Sequence, residues 1–416
     1  MRIVIIGAGV VGLAAAHELL GAGHEVTIVE SGDYGQGPSH GNAALVTGVL
    51  SFPVPAPGSI GIAARSVFGG NSAISITPQF SLDYLRFLLR MAWATKKSNF
   101  VVGTDAQDIL TRMVLDGFAE YQEQGLNFEH HTGGSMHVFT SRQAYEQAVA
   151  VFDGFPELKK RIRLLEGASA VHEVDPNLAP DVEYAYFAPD DLQVEPDSVM
   201  KALVASIEQA GGKLIQHSPV ISFETSDGVV RAAVTSQGPI EADQFIIAAG
   251  VGSRGLAKKL GYSLPLFPGG GYSVDVHFED DSLKPAASVL TDVSHIAVTP
   301  LDWGLRASSG MIIGQPEPSV APTVIDKLIA QVQEIYPDVP VDDVDPGWAG
   351  LRPMSADGVP IIGLVPGQRN TYLATGHAML GLTYAPSTAK VLRALIEGDA
   401  PEDYRAFAPA RFGAHA

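Results

Sequence analysis

The chain opens on an unbroken apolar run, Ile3-Val4-Ile5-Ile6, which predicts a short strand buried on both faces. It leads directly into Gly7-Ala8-Gly9-Val10-Val11-Gly12, and the apolar stretch Leu13 to Leu20 then ends at Gly21-Ala22-Gly23, as a helix with its stop would. Glu25 to Glu30 predicts a second strand. Ile3 to Ala16 behind one positive charge could on composition be the core of a secretory signal, but the glycine pattern favours a βαβ unit. Further on, helical spacing predicts helices over about 82–93, 106–124, 196–211, 256–260 and 323–336. Short strands are expected at about 213–217, 220–224, 229–235 and 240–248, and the segment 271–314 is strand-rich. The proline-rich loop Phe52 to Ser59 cannot continue a sheet. Leu82, Leu85, Leu88 and Leu89 form an apolar stripe flanked by charges, which suits core or interdomain packing better than a membrane. A strand-rich middle thus interrupts a βα framework that is expected to resume near Gly347, as in two interleaved domains.

Composition narrows the chemistry. With 46 Asp and Glu against 27 Lys and Arg over 416 residues, the formal charge of −19 repels phosphate backbones and anionic lipid surfaces alike, and nucleic acid is not expected as a partner. There is no cysteine, so disulfides, thiolate metal sites, a thiol nucleophile and flavin attachment through sulfur are all ruled out. The twelve histidines show no HExxH or similar spacing, and no metal is expected. His130-His131 lacks any partner motif and is expected at the surface.

The glycine motif carries a specific mechanism. Gly7 permits the tight turn, Gly9 lets backbone approach a pyrophosphate, and Gly12 allows helix and strand to close together. The helix N-terminus beside them offers free N–H groups and a partial positive charge to an anion. Glu30, eighteen residues beyond Gly12, can accept from ribose hydroxyls and would repel a 2′-phosphate. No second GxGxxG follows, so one dinucleotide is expected and NAD is not.

Several other segments join this motif: Ser39-His40-Gly41-Asn42-Ala43-Ala44, Ala248-Ala249-Gly250, Gly271-Tyr272-Ser273, GLRPMSADGVPIIG from Gly350, and TGHAMLGLT from Thr375. With them, nearly the whole chain resembles the FAD-dependent D-amino acid oxidase superfamily, most closely its bacterial D-amino acid dehydrogenase (small-subunit) branch. The resemblance implies an α/β protein with a Rossmann-like FAD-binding domain (1–51, 190–264, 345–416) interleaved with a strand-rich α+β substrate domain (52–189, 265–344). It implies non-covalent FAD along Gly7, Gly9, Val10, Val11 and Gly12, with Glu30, Ser31 and Val220 at its adenine side and Ala249 and Gly250 nearby. The flavin is expected over Ser39, His40, Gly41, Asn42 and Ala43, and against Gly350, Gly376, His377, Leu380, Gly381, Leu382 and Thr383. His40 lies one residue out of register with the histidine to which related demethylating enzymes attach their flavin.

Arg352 corresponds to the arginine that pairs with substrate carboxylate in this superfamily, a task for a planar guanidinium. The competing reading is a structural arginine near Asp357. His377 is the second catalytic candidate, and Tyr272 and His295 are candidate substrate contacts. Ala297 stands where relatives often carry tyrosine three residues before a proline, and Gly270 where they often carry a basic residue, so side-chain specificity is not carried over. The implied activity is oxidation of a D-amino acid or secondary amino acid by hydride transfer from Cα to the flavin, giving an imine and then an oxo acid. An FAD-dependent 2-hydroxy acid dehydrogenase and a noncatalytic flavin-binding subunit are the alternatives. A quinone or similar acceptor is expected rather than oxygen, since no lysine falls in the flavin motifs. The expected location is the cytoplasm, with peripheral contact at the inner face of the membrane as a variant, and oligomeric state stays open.

Overall fold

A computed structural model describes residues 1–49, 51–59, 75–292 and 295–413. The first apolar run forms the strand Arg2–Ile6, the glycine motif turns into the helix Val10–Gly21, and Glu25–Val29 returns parallel to the first strand. This unit seeds a six-stranded sheet in the order Lys213–Ile215, Glu25–Val29, Arg2–Ile6, Gln244–Ile247, Thr371–Thr375 and Ile361–Leu364, parallel except at its last strand. Both faces are covered, which explains the unbroken apolar runs. Ile3 and Ile5 face Leu13, Leu19 and Leu392 on one side, while Val4, Ile6 and Ile247 face Leu256 and Ala257 on the other. The N-terminal apolar stretch is therefore core.

The second large sheet has nine strands. Its main path runs Trp348–Ser355, Leu266–His277, Gly304–Ile313, Ala297–Leu301, Ser288–Thr291, Ser135–Phe139, Tyr184–Ala188 and Arg163–Glu166, with Ser75–Ile76 pairing beside it. The helix Pro322–Ile335 closes one face of this sheet through Ile325, Leu328, Val332 and Ile335. The architecture is α/β, with a doubly covered parallel sheet and a large mixed sheet.

Four expectations need correction. Ile240 to Ala248 is two strands, Gly238–Glu241 in a small meander and Gln244–Ile247 in the parallel sheet. The helix expected over 106–124 is two helices, Lys97–Thr111 and Val114–Glu123. Thr104 and Thr111 bond back to carbonyls four residues earlier, a pattern that bends helices, and Gly117 then abuts Pro386. Trp348–Ser355 does not resume the βα framework but pairs antiparallel with Leu266–His277. Finally, the helix Leu82–Ala94 buries Tyr84 and Phe87, while Leu82, Leu85, Leu89 and Trp93 stand in solvent, so of its leucine stripe only Leu88 packs on the core.

Candidate FAD groove and adjoining cavity

The turn after the first strand is built as its glycines require. Gly7 has φ +112°, and a Cβ there would sit 2.5 Å from the Ala248 carbonyl oxygen. A Cβ on Gly12 would lie 2.0 Å from the Gly7 oxygen, so Gly12 serves helix–strand closure and does not face a ligand. Gly9, Val10 and Val11 line a cavity of about 490 Å³ that runs from Glu30 and Ser31 past Val220, Ala249 and Gly250 to His377, Gly381 and Leu382. The Ser39 hydroxyl accepts from the Val10 N–H at 3.1 Å and fixes the Ser39 to Ala44 loop to the helix start. Glu30 closes the far end, with its carboxylate accepting from the N–H groups of Ala8 at 2.7 Å, Ser31 at 2.6 Å and Gly32 at 3.1 Å. Oε1 is filled by Ser31 and Gly32, the Ser31 hydroxyl also donating to it at 2.8 Å, while Oε2 accepts from Ala8 and keeps lone-pair capacity. An elongated groove walled by Gly9 where a side chain would intrude, with a helix N-terminus midway and an acid at one end, fits FAD.

A second cavity of about 380 Å³ shares Pro38, Asn42 and Ala378 with the first. Gly41, Ala43, His295, Gly350, Arg352 and Leu380 are in its wall. The Arg352 side chain passes over Gly271, where a Cβ would strike the guanidinium at 2.4 Å, and its Nη1 donates to the Gly310 carbonyl. Burial lowers its pKa to about 10, so it remains charged at neutral pH. Asp357 does not pair with it, being held instead by Arg411 at 2.8 and 3.1 Å. Among the described residues no carboxylate forms an ion pair with Arg352, and a desolvated guanidinium facing a cavity creates a demand for an anion.

The other expected residues separate into cavity walls and supports. Gly376, at φ +78°, shapes its turn, and Thr383 donates to the Leu45 carbonyl at 3.3 Å, but neither lines a cavity. His40 lines neither cavity: its Nδ1 meets Asp197 at 2.7 Å, which raises its pKa, and its ring packs edge-on to Trp348. Tyr272 does not line the second cavity either. Strand alternation gives that face to Gly271, while the Tyr272 ring packs over Gly310 and on the second core. His377 borders the groove, but its Nε2 is engaged by the Thr388 hydroxyl at 2.9 Å and burial pushes its pKa down to about 3. A neutral ring tied to the last helix is placed to hold the loop. The pair His130-His131 is at the edge of a small sheet, with His131 bonded to Glu129 at 3.0 Å.

Sequence reading missed several residues. Phe52 and Val54, from the proline-rich loop, wall the second cavity together with His137, Leu290 and Trp348. The Trp348 indole rests where a Cβ on Gly41 or on Gly350 would collide at 1.9 Å, so those glycines signal a close-packed ring. Arg306 was also missed. It forms a buried pair with Asp275 at 2.7 and 2.8 Å, and its Nη1 donates to the carbonyls of His40 at 2.8 Å and Asn42 at 3.2 Å. Thr299 donates to the Ala43 carbonyl at 2.7 Å, so side chains of the large sheet hold the Ser39 to Ala44 loop through three of its carbonyls.

Comparison with known proteins agrees with this geometry. Residues 2–395 match the DAO family, described as FAD dependent oxidoreductase. The chain is 29% identical to a D-amino acid dehydrogenase of Cereibacter sphaeroides, over 97% of this chain and 93% of that protein. It is 28% identical to one of Azorhizobium caulinodans, over 97% of both. Among solved structures, L-proline dehydrogenase from P. horikoshii superposes with a TM-score of 0.78 at 18% identity, covering 99% of this chain and 97% of that one. Glycine oxidase from Geobacillus kaustophilus does so with a TM-score of 0.75 at 20% identity, covering 99% of both. With its glycine turn, its acid-ended groove and a family match spanning nearly all of its length, this chain belongs to the DAO family of FAD-dependent oxidoreductases.

Proposed function

We propose that the protein oxidises an α-amino acid, primary or N-substituted, at Cα. The observation that carries this reading is Arg352, a charged guanidinium without an ion-pair partner among the described residues, in a cavity that adjoins the FAD groove. The names of the curated relatives support the same substrate class. FAD, when bound, supplies the acceptor for the hydrogen that leaves Cα with its electron pair. Arg352 holds the substrate carboxylate, and the cavity walls limit the poses of the amine and Cα; such positioning lowers a barrier by roughly 7 kcal/mol in favourable cases. The amine lone pair completes an iminium as the hydrogen departs, and hydrolysis gives the oxo acid, so no protein base is needed. In keeping with this, the histidines in the two walls, His137, His295 and His377, all have lowered pKa values through burial. We therefore assign His377 to positioning and not to proton transfer.

The division of labour proposed is FAD binding by 1–51, 190–264 and 345–416 and substrate binding by 52–189 and 265–344, with the strand Trp348–Ser355 lent to the substrate sheet. FAD is held non-covalently, as the engagement of His40 by Asp197 suggests. The acceptor is a quinone or similar carrier, because no lysine lines either cavity among the described residues and substrate carboxylate would neutralise Arg352. The exposed stripe Leu82, Leu85, Leu89 and Trp93, flanked by exposed Arg86, Lys96 and Lys97, is proposed to rest on an anionic bilayer where such carriers reside, these local cations acting against the net charge of −19. Anaerobic flavin bleaching by amino acids, N-methyl amino acids and 2-hydroxy acids tests the reading. Bleaching by the first two classes supports it; bleaching by 2-hydroxy acids alone overturns it, and a fully FAD-loaded protein bleached by none would be a binding subunit.

A further inference from the structure

The floor of the second cavity is one row of residues crossing the large sheet. Trp348 pairs with Ser273, Ser273 with Ser308, Ser308 with Ala297, Ala297 with Leu290, and Leu290 with His137. Directly paired residues project to one face, and Trp348, Ser308, Ala297, Leu290 and His137 all line the cavity. Arg352 lies four residues along the strand from Trp348, on the same face, with its guanidinium against Gly310. From the strand of Gly310 to that of His137 is three strand steps, roughly 14 Å along the sheet. The carboxylate anchor is therefore at one end, and a long floor extends away from it.

The wall of that extension is uncharged and mainly apolar, with Ser308 Oγ and His137 Nε2 as buried polar atoms of its floor that have no hydrogen-bond partner among the described residues. Leu45, Phe52, Leu290, Ile296, Trp348 and Leu380 supply most of it, and Ala297 leaves the middle of the floor low. Among the described residues Arg352 is its one charged group, with no Asp, Glu or Lys in the wall. His137 is tied through Nδ1 to the Tyr186 hydroxyl at 2.7 Å and stacked on Phe139 with ring centroids 4.8 Å apart, and burial lowers its pKa to about 4. Burial also lowers the pKa of His295. A cationic substrate side chain would find no acid to pair with and would be repelled by Arg352, and an acidic one would compete with the α-carboxylate for the same guanidinium.

We infer that the substrate is an amino acid with a bulky, uncharged, apolar or aromatic side chain lying along the row Ser308, Ala297, Leu290 and His137, with its carboxylate on Arg352. This rests on the amino acid reading above and names its substrate class. Burying a leucine- or phenylalanine-sized group favours it over a small one by roughly ten- to a hundredfold.

The test uses the FAD-loaded full-length protein and an artificial electron acceptor, with glycine and both enantiomers of alanine, leucine, phenylalanine, glutamate and lysine. For the enantiomer accepted, kcat/KM is expected to be highest for leucine or phenylalanine, at least tenfold above alanine and further above glutamate and lysine. The same panel on Ala297→Leu, which raises the middle of the floor, is expected to lower the phenylalanine-to-alanine ratio at least tenfold, with FAD content reporting an intact fold. Preference for glycine, alanine or a charged side chain in the wild type overturns the inference, and so does an unchanged ratio in a folded variant. If no amino acid of either hand bleaches the flavin, the amino acid reading itself fails, an outcome distinct from oxidation with the wrong preference.

Discussion

At the scale of single residues, the groove depends on atoms that are missing. Gly9 is in the wall, and a Cβ there would already approach the Ser39 hydroxyl to 3.3 Å, so the branches of a valine would occupy the path of a pyrophosphate. Gly9→Val is expected to leave a folded protein with little bound flavin, measured as FAD released by acid per chain; stoichiometric FAD would refute the assignment of this glycine. The motif residues Gly7, Gly9, Gly12 and Glu30 were legible because each answers a local demand of the βαβ turn. Arg352 was legible as a residue type, but its lack of a carboxylate partner was not, since that depends on Arg411 reaching Asp357 from 54 residues away. Tyr272 falls outside the cavity wall because a one-residue difference along a strand selects the opposite face.

At the scale of elements, the loop from Ser39 to Ala44 is held by the strand Gly304–Ile313, and the link passes through one buried ion pair. Arg306 is 4% exposed in its side chain and satisfies both Asp275 and the Ser39 to Ala44 loop. Asp275→Asn would leave a buried cation uncompensated, at a cost of about 3 to 5 kcal/mol. The expected result is a clearly lower melting temperature together with weaker flavin retention; an unchanged melting temperature would show that the pair does not couple sheet and loop. No sequence pattern announced it, since Asp275 and Arg306 meet only through the pairing of their strands. The helix Leu82–Ala94 had a legible period, but periodicity does not say what its apolar side faces. With Leu89 62% and Trp93 60% exposed, co-sedimentation with anionic vesicles is expected, and Leu85→Ser with Leu89→Ser should abolish it while sparing flavin content. Equal sedimentation of the double variant would reject the bilayer contact.

At the scale of the whole molecule, two histidines buried as neutral rings make folding sensitive to acid. His377 falls to about 3 and His137 to about 4, against ordinary values near 6.5. The unfolded chain binds protons there before the folded one does, so this contribution is complete above about pH 6.5 and is lost as pH falls through the folded values. For His377 the upper bound is roughly 5 kcal/mol. Buried Asp191, raised to about 6, works in the opposite sense, favouring the fold at low pH and losing that contribution as pH rises through the folded value. A melting temperature that falls steeply between pH 6.5 and 4, less so in His377→Asn, is the expected outcome; equal slopes would remove His377 as a cause. The interleaving of two units was legible from the order of strand-rich and βα segments. The membership of Trp348–Ser355 was not, because a strand beside a βα stretch gives no local sign of the sheet it joins.

A cavity between the large mixed sheet and the loops that carry Asn42 and Leu380 is thus proposed to offer one guanidinium to a substrate carboxylate beside the flavin. This is tested most directly by the anaerobic rate of flavin reduction in Arg352→Ala, compared with the wild type at full FAD occupancy. Loss of a buried charge partner costs roughly 2 to 5 kcal/mol, which predicts reduction by an amino acid slowed about thirtyfold or more. The corresponding amine, lacking the carboxylate, should distinguish the two proteins far less. Equal reduction of both proteins by the amino acid would contradict the account.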